Sequence, residues 1–330
     1  MKLIIPLAGK GTRLRPHTLT KPKPLLKVAG KTILDYLLDN VKDLKFSEVI
    51  FITGAQKDAI QNYVTSRYKF KATFVEQKIP DGSAGAIKLA KEFIDEDVLI
   101  LFSDTLFDTD LSVVKVAQKN SSVDGLIWVK EREDYQRFGV VITDTQGFMT
   151  KIVEKPQEPI SRLANIGMYY VKNYKLMFEG IEYLYKNNIN LKNEYYLVDA
   201  FEYMIKNGAK IKISNVKGWY DCGRIDSLLE TNQILLKKNH KIGSKTKNCV
   251  ILDPVYLDKG VVIENSIIGP FVSIASGTVI KGSIIKNTII DSNSVLENIK
   301  LRDSLIGESV TLKSHFKKLN IGDYSELHFY

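Results

Sequence analysis

The sequence predicts two structural regions: an α/β domain built on a mostly parallel sheet, and a short β-helix after it. Up to about residue 240, short apolar runs alternate with segments whose apolar residues recur every three or four positions, the pattern of strands joined by crossover helices. Beyond that point, aliphatic residues recur every six positions, which is typical of a hexapeptide β-helix. The length of 330 residues fits two domains, and we place them at 1–240 and 243–330.

The first region opens with an apolar run at 2–7, which predicts a buried strand. In the segment 32–44, the apolar residues fall on one face of a helix. Because strands and helices then alternate along the chain, the strands are expected to run parallel. The further strands are predicted at 48–53, 71–76 and 97–102, and the helices between them at 55–66 and 83–94.

The segment 123–171 departs from this alternation, because it is rich in strand-like runs and poor in helical ones. We interpret it as an extension of the sheet that carries a second substrate. The four runs lie at 124–129, 138–143, 149–153 and 166–171. Helices are predicted again at 173–186, 195–207 and 224–238, with a strand at 210–216.

The tail shows a six-residue spacing of aliphatic side chains. One series is Val262, Ile268, Ile274 and Ile280, and a second is Val255, Val261 and Ile267. A repeat of this length predicts short strands that turn three corners per coil, with three to four coils between 243 and 330. The alternative is a β-sandwich with regular hairpins, in which strands are spaced more widely.

Composition restricts the class of protein. The chain has 44% hydrophobic and 26% charged residues, as folded globular proteins do. Its net charge of +9 comes from scattered lysines without a block of like charges, which favours phosphorylated small molecules over nucleic acid. Cys222 and Cys249 are too few for a disulfide framework. No run has the length of a membrane span or a signal peptide, so we expect no membrane partner and a cytoplasmic protein.

The strongest motif lies at 7–28, directly after the first strand. Gly9 and Gly11 let backbone N–H groups approach phosphate oxygens closely. Arg13 and Lys23 add positive charge. Together they suit a triphosphate whose leaving group is pyrophosphate.

Two better-known phosphate motifs do not fit this loop. A P-loop requires Ser or Thr after its lysine, whereas Lys10 is followed by Gly11. A dinucleotide-binding fingerprint requires a third glycine, whereas Leu14 occupies that position.

The string GxGTRLxPxT followed by KPKPLLxVxGK resembles the sugar-1-phosphate nucleotidylyltransferase family. This family includes glucose-1-phosphate thymidylyltransferases, UTP–glucose-1-phosphate uridylyltransferases and mannose-1-phosphate guanylyltransferases. The resemblance covers about residues 1–240 and implies a Rossmann-like, mixed but mostly parallel sheet, followed by a left-handed β-helix. In this family such tails pack subunits together or serve regulation, and we expect a homo-oligomer. One departure is Ala8-Gly9-Lys10, where many thymidylyltransferases have Gly-Gly; this form is nearer to uridylyltransferases.

The resemblance also implies which residues bind the nucleotide. The family reads the base with a Gln and a Gly after the third strand, and Gln77 and Gly82 stand there in Gln-x-x-Pro-Asp-Gly. A Gln amide both donates and accepts, which matches the N3–H and O4 edge of thymine or uracil. We therefore favour dTTP or UTP. The implied nucleotide-binding residues are Leu7, Ala8, Gly9, Gly11, Thr12, Gln77, Gly82 and Asp104.

Two carboxylates are implied as metal ligands. Asp104 follows the strand at 97–102, and Asp221 lies in the string GWYDCGR. The family uses the matching aspartates for Mg²⁺, and hard carboxylate oxygens suit this ion. The alternatives are structural: a helix N-cap for Asp104 and a turn residue for Asp221.

The sugar side resembles the family in three further segments. Glu154 and Lys155 match its Glu-Lys-Pro motif, so that Glu154 is implied to bind sugar hydroxyls and Lys155 the sugar phosphate. Gly139 belongs to its Phe-Gly-Val strand, and Asn165 and Gly167 are implied to line the hexose pocket. Glu194 and Asp199 also match a family segment, but both residue types favour the start of a helix.

The expected reaction transfers a nucleotidyl group to a sugar 1-phosphate, with Arg13, Lys23 and Lys155 as catalytic residues. Glucose 1-phosphate is favoured; the alternatives are GTP with mannose 1-phosphate and UTP with N-acetylglucosamine 1-phosphate. Two functions of other classes stay open. One is an acyltransferase in the tail, whose histidine base would be His315 or His328, and the other is an inactive regulatory subunit.

Overall fold

The computed structural model describes residues 1–243 and 245–314. These divide into two compact units, the first at Met1–Thr231 and the second from Asn232 onward. The domain limits of 1–240 and 243–330 remain predictions, and His315 and His328 lie outside the described residues. Within the described ranges, no helix is both long and apolar enough to cross a membrane.

The first unit alternates strands and helices, as the sequence predicts. Its strands are β1 (Lys2–Leu7), β2 (Lys27–Val28), β3 (Lys31–Thr32), β4 (Val49–Thr53), β5 (Ala72–Glu76), β6 (Val98–Leu101), β7 (Thr105–Asp108), β8 (Gly125–Glu131), β9 (Gly139–Thr143), β10 (Met149–Glu154), β11 (Leu163–Val171), β12 (Ile211–Asn215) and β13 (Gly218–Asp221). Its helices are α1 (Ile33–Val41), α2 (Lys57–Arg67), α3 (Ser83–Lys88), α4 (Ser112–Lys119), α5 (Tyr174–Lys186) and α6 (Leu197–Lys206), and α7 (Ile225–Leu236) begins here.

The main sheet has nine strands. Seven follow the order β10-β9-β11-β6-β1-β4-β5, while β8 pairs with β11 and β12 pairs with β8. The pairs of β1 with β4 and β6 are parallel, whereas β11 is antiparallel to β6, β8 and β9. Only β10 and β11 therefore oppose the common direction of this sheet, which confirms the mixed, mostly parallel fold. β1 is buried along its whole length, because neighbouring strands and both layers of the domain cover it.

Two small sheets are missing from the sequence-based expectations, one formed by β2 and β3 and the other by β7 and β13. β7 and β13 pair antiparallel, with Thr105 opposite Asp221 and Asp108 opposite Gly218. Both strands are too short for a periodicity to show, and their pairing is distant in sequence. The predicted helix at 83–94 is also shorter in the structure: α3 ends at Lys88, and a 3₁₀ turn at Lys91–Phe93 follows.

The second unit is a coil of short parallel strands. They are β14 (Lys241–Ile242), β15 (Lys245–Lys247), β16 (Val250–Ile251), β17 (Val255–Leu257), β18 (Val262–Glu264), β19 (Ile267–Ile268), β20 (Val272–Ile274), β21 (Val279–Lys281), β22 (Ile284–Ile290), β23 (Val295–Glu297), β24 (Lys300–Ile306) and β25 (Thr311–Lys313). Successive rungs are parallel, for example β18-β21-β23-β25. This arrangement is consistent with the predicted left-handed β-helix.

The repeat is shorter than the predicted one. Val262 pairs with Val279 and Val279 with Val295, so that a coil takes 17 and then 16 residues rather than three times six. Consequently Ile263 is buried, while Val262 and Ile267 of the predicted series are each 38% exposed. Among the described residues, one face of the coil has five stacked strands, β15-β18-β21-β23-β25, whereas three to four coils were expected.

The corners of the coil explain the Asn and Gly between the aliphatic residues. Asn248, Asn265, Gly282 and Asn298 stand at one corner of successive coils, with φ values of 53°, 49°, 58° and 57°. Asn adopts this left-handed region more readily than most side chains do. The side chains of Asn248 and Asn265 are also hydrogen-bonded, at 2.8 Å.

Candidate active site

Two neighbouring cavities open in the first unit, at the carboxyl ends of β1 and β6. The loop cavity, of about 630 Å³, is formed chiefly by residues 6–13 with Lys23, Gln77 and Gly82. The sheet cavity, of about 530 Å³, is formed by side chains of the sheet extension and by the ends of β7 and β13. Five residues line both: Arg13, Ser83, Phe102, Asp104 and Tyr196.

The loop after β1 owes its shape to two glycines with different roles. Gly11 has φ +59°, and a Cβ on it would lie 3.0 Å from Cγ2 of Thr18. The Thr18 hydroxyl donates to the Gly11 carbonyl at 2.8 Å, which fixes the turn. A Cβ on Gly9 would meet no atom within 4 Å. The backbone at Gly9 is thus left open to the loop cavity.

The segment expected to read the base is held by Asp81. The Gln77 amide nitrogen donates to Asp81 Oδ1 at 3.0 Å and to the Gly82 carbonyl at 3.3 Å. The hydroxyl of Tyr185 donates to the other carboxylate oxygen of Asp81. Both amide hydrogens of Gln77 are therefore engaged, and its carboxamide oxygen is the atom left for a ligand.

The backbone conformation and the close neighbours of Gly82 both require glycine at this position. Its φ is +108°, and a Cβ there would lie 2.3 Å from the carbonyl oxygen of Tyr195. On either side, Tyr195 accepts a hydrogen bond from Ala84 N–H at 2.9 Å and donates one to the Asp81 carbonyl at 2.7 Å. The base segment is thus clamped against the chain that leads into α6.

Asp104 and Asp221 are brought together by the pairing of β7 with β13. Thr105, the residue after Asp104, pairs with Asp221, and Cys222 N–H donates to the Asp104 carbonyl at 2.9 Å. Both carboxylates line the sheet cavity. Asp221 is oriented by Gly223, whose N–H donates to its Oδ1 at 2.7 Å.

These two carboxylates fit a divalent metal only in part. The described residues contain no group of three or more His, Cys, Asp or Glu that could hold an ion. Proteins nevertheless often bind Mg²⁺ with only one or two carboxylates, while substrate phosphates and water provide the remaining ligands. The donor set therefore fits a metal that binds together with its phosphate ligands.

Glu154 and Lys155 form an ion pair on the wall of the sheet cavity. Lys155 Nζ lies 3.2 Å from Glu154 Oε1 and 4.8 Å from the centre of the Tyr196 ring. Burial raises the pKa of Glu154, although the charge of Lys155 opposes this effect. Lys155 has φ +44°, a strained conformation for a residue other than glycine, of the kind found at functional sites.

The remaining predicted sugar-side residues lie around a bulge in β11. The pairing of β11 with β8 shifts between Asn165 and Tyr169. Within it, the Asn165 carboxamide accepts from Gly167 N–H at 2.9 Å and donates to the Tyr169 hydroxyl. On β9, a Cβ at Gly139 would lie 3.1 Å from Glu154 Oε2. The bulge and the missing side chains make room beside Glu154.

Sequence-based reasoning missed several lining residues. Arg132, Arg137 and Trp219 lie on the wall of the sheet cavity, and Tyr196 lies between the two cavities. Ser83 accepts a hydrogen bond from Leu197 N–H at 2.9 Å and so ties the base segment to α6. The tryptophan in GWYDCGR, two residues before the predicted metal ligand Asp221, was the one available signal for Trp219.

Comparison with known proteins places the chain among nucleotide-transferring enzymes. The family model described as nucleotidyl transferase matches residues 2–238. The chain is 36% identical over 265 residues to the bifunctional protein GlmU of Methanocaldococcus jannaschii, covering 79% of this chain and 61% of that protein. It therefore spans about three fifths of the length of that relative.

Two further similarities cover most of this chain. A glucose-1-phosphate thymidylyltransferase of Streptomyces griseus is 25% identical over 98% of both chains. The fold resembles a crystal structure of UDP-glucose pyrophosphorylase complexed with UDP-glucose, with a TM-score of 0.62 at 24% identity, over 72% of this chain and 98% of that one. Since the family model matches well over half of its length, the chain belongs to the nucleotidyl transferase family.

Proposed function

We propose that this protein is a sugar-1-phosphate nucleotidylyltransferase, which joins a nucleoside triphosphate to a sugar 1-phosphate and releases pyrophosphate. The observation that carries the proposal is the arrangement of the cavities. Every residue expected to bind the nucleotide lines the loop cavity, every residue expected to bind the sugar lines the sheet cavity, and Arg13 and Asp104 line both. Two substrates bound side by side would therefore meet at Arg13 and Asp104.

In the loop cavity, backbone N–H groups around Gly9 and Gly11 would hold the triphosphate. The positive charges of Arg13 and Lys23 would stabilise the pyrophosphate as it leaves. Arg13 lies near the proposed metal ligand Asp221. A Cβ added to Gly223 would lie 2.9 Å from Asp221 Oδ1 and 3.3 Å from Arg13 Nη2. Leu7, Ala8 and Thr12 complete the lining of this cavity.

For the base, we favour uracil or thymine. The free carboxamide oxygen of Gln77 would accept N3–H, and the donor for O4 would be the Gly82 N–H rather than Gln77, whose amide hydrogens are held by Asp81 and Gly82. Guanine presents a similar N1–H and O6 edge, so these hydrogen bonds alone do not distinguish GTP from UTP or dTTP. Only the larger size of the purine ring would exclude GTP from the loop cavity.

On the sugar side, the ion pair of Glu154 and Lys155 would open when substrate binds. Sugar hydroxyls would donate to Glu154, and the sugar phosphate would take Lys155, so each charge would exchange one partner for another. Asn165 and Gly167 would bound the hexose. Glucose 1-phosphate is our preferred substrate; mannose 1-phosphate and N-acetylglucosamine 1-phosphate are the alternatives.

Mg²⁺ is the metal that we propose for Asp104 and Asp221. When bound, it would neutralise charge on the phosphate oxygens. The attacking oxygen of the sugar phosphate is already an anion, so the protein need not supply a general base. The residues of the site would act by aligning the two phosphates and by excluding water, which is the main part of catalysis in phosphoryl and nucleotidyl transfer.

The described part of the β-helix favours no second function. The two histidines on which an acyltransferase would depend lie outside it. Homo-oligomeric assembly and a cytoplasmic location likewise remain predictions from the sequence.

The test is pyrophosphate release with Mg²⁺, crossing dTTP, UTP, GTP and ATP with glucose, mannose and N-acetylglucosamine 1-phosphates. Release that requires one sugar phosphate and prefers dTTP or UTP is the expected result. Release that prefers GTP would keep the reaction and overturn the assignment of the base. Folded protein that releases pyrophosphate with no pair, but binds coenzyme A, would overturn the proposed function.

A further inference from the structure

Arg132 occupies the wall of the sheet cavity in a fixed orientation. Its Nε donates to Asp134 Oδ1 at 2.7 Å, and its guanidinium carbon lies 5.6 Å from the centre of the Trp219 ring. The ring of Trp219 in turn packs on Phe138 at 4.7 Å. An arginine held by a carboxylate along one edge and by an aromatic ring on its face loses little further freedom when a ligand binds.

This orientation leaves the outer edge of the guanidinium for a ligand. Among the described residues, the terminal amino groups of Arg132 make no hydrogen bond or ion pair, since its one ion pair uses Nε. The free amino groups of Arg132 therefore give this wall of the cavity hydrogen-bond donors that suit a ligand rich in acceptors.

Arg132 lies near Asp221, one of the two proposed metal ligands. Trp219 and Asp221 are two residues apart on β13 and so face the same side of the strand. The pKa of Arg132 is raised, chiefly by its hydrogen bond to Asp134 and, against the effect of burial, also by the charges of Asp134 and Asp221. Arg132 thus lies near the end of the cavity where the proposed reaction takes place.

We infer that Arg132 binds the phosphate of the sugar 1-phosphate through its terminal amino groups, with Asp134 and Trp219 holding it in place. A phosphate dianion accepts two parallel hydrogen bonds from a guanidinium. The inference rests on the proposed function and adds a residue to it that the family resemblance does not supply. Lys155 and Arg132 would then hold the phosphate together.

The test compares Arg132→Ala and Arg132→Lys with wild type in the pyrophosphate-release assay. Arg162→Ala is the matched control, because Arg162 pairs with Glu133 at an exposed position, with 58% and 84% of the side chains accessible. We expect Arg132→Ala to raise KM for the sugar 1-phosphate by about 10- to 100-fold and to leave KM for the nucleotide within about twofold. Arg132→Lys should recover only part of the loss, because lysine lacks the planar pair of donors.

A second measurement separates phosphate from sugar contacts. The free sugar, used as a competitive inhibitor, should bind wild type and Arg132→Ala equally. An unchanged KM for the sugar 1-phosphate in Arg132→Ala, an equal rise in Arg162→Ala, or an equal loss of affinity for the free sugar would overturn the inference while the proposed function stood. A wild-type protein without any release would instead remove the proposed function, and this inference with it.

Discussion

The loop cavity and the sheet cavity lie side by side but are built in different ways. One continuous stretch, residues 6–13, lines much of the loop cavity, and the backbone at Gly9 is open to it. The sheet cavity is made of side chains brought together from distant strands, and some of its charges form ion pairs, as Glu154 does with Lys155. Binding in the loop cavity should therefore depend on open backbone, and binding in the sheet cavity on the side chains that line it.

The largest expected effect concerns the residues that the two cavities share. Arg13→Ala or Asp104→Asn should lower kcat by at least about 100-fold, because each removes a preorganised charge from the point where both phosphates would meet. The measurement is the rate of pyrophosphate release at saturating substrates. Asp43→Asn, at an exposed position on the same unit, is the control and should retain full activity. Near-normal turnover of a folded Asp104→Asn variant would show that the shared position is not where the reaction occurs.

The loop cavity was largely predictable from the sequence because its parts are contiguous. The order of strand, Gly9 and Gly11 is enough to expect exposed backbone N–H groups at a phosphate site. What the sequence did not reveal is the way Asp81 occupies the Gln77 amide. That contact depends on the local fold of the base segment, and not on spacing alone.

Gly9→Ala tests whether open backbone is the feature that matters. Since a Cβ at Gly9 would meet no protein atom within 4 Å, the variant should melt at the wild-type temperature. Its methyl group would occupy space that a phosphate needs, so KM for the nucleotide should rise about tenfold. KM for the sugar 1-phosphate should not change. Gly82→Ala is the contrasting variant, because its Cβ would lie 2.3 Å from the Tyr195 carbonyl and should lower stability as well as affinity.

The sheet cavity was only partly predictable. Glu154 and Asn165 were found through a resemblance, whereas Arg132 and Trp219 were missed. Their proximity depends on the contacts between β8, the segment after it and β13, which are far apart in sequence. The pairing of β7 with β13, which sets Asp221 beside Thr105, involves strands of four residues each, too short to show a pattern.

The Glu154 carboxylate gives the sheet cavity a pH dependence that the loop cavity should lack. Burial raises the pKa of Glu154, and the charge of Lys155 partly offsets this. As the pH falls towards that pKa, the carboxylate is protonated and loses an acceptor, so KM for the sugar 1-phosphate should rise. Glu154→Gln should raise this KM about tenfold at neutral pH and weaken its dependence on pH, leaving the part that comes from the second ionisation of the sugar phosphate at about pH 6. The check is a series of KM measurements over about pH 5 to 8, and an unchanged slope in the variant would contradict the assignment.

The β-helix shows why a repeat can be recognised before its register is known. Six-residue spacing was enough to predict coils, yet coils of 17 and 16 residues move the inward position by one residue at intervals. The inward series Ile263, Ile268 and Ile274 steps by five and then six. Register follows from the strand pairing and the left-handed corners at residues such as Asn265, not from a constant period.

The smallest expected effect concerns Asp199, in the first turn of α6. A carboxylate there can be stabilised by the helix dipole, but burial and the neighbouring charges of Glu154 and Glu202 raise its pKa to about 6. Because the folded-state pKa lies above the ordinary value, the group contributes most to stability at low pH, and this contribution is lost as the pH rises through about 6. Ionised Asp199 is therefore a net cost at neutral pH.

Asp199→Asn should accordingly stabilise the protein above that pH by about 1 kcal/mol, a figure reduced for the partial exposure of the side chain. This corresponds to a rise of about 2–4 °C in the melting temperature, with little change at about pH 4. Repeating the substitution in Glu154→Gln protein should give a smaller gain, because part of the repulsion is already gone. A lower melting temperature of Asp199→Asn at neutral pH would mean that the helix dipole outweighs burial, and that Asp199 serves the fold of α6 rather than the charge balance of the sheet cavity.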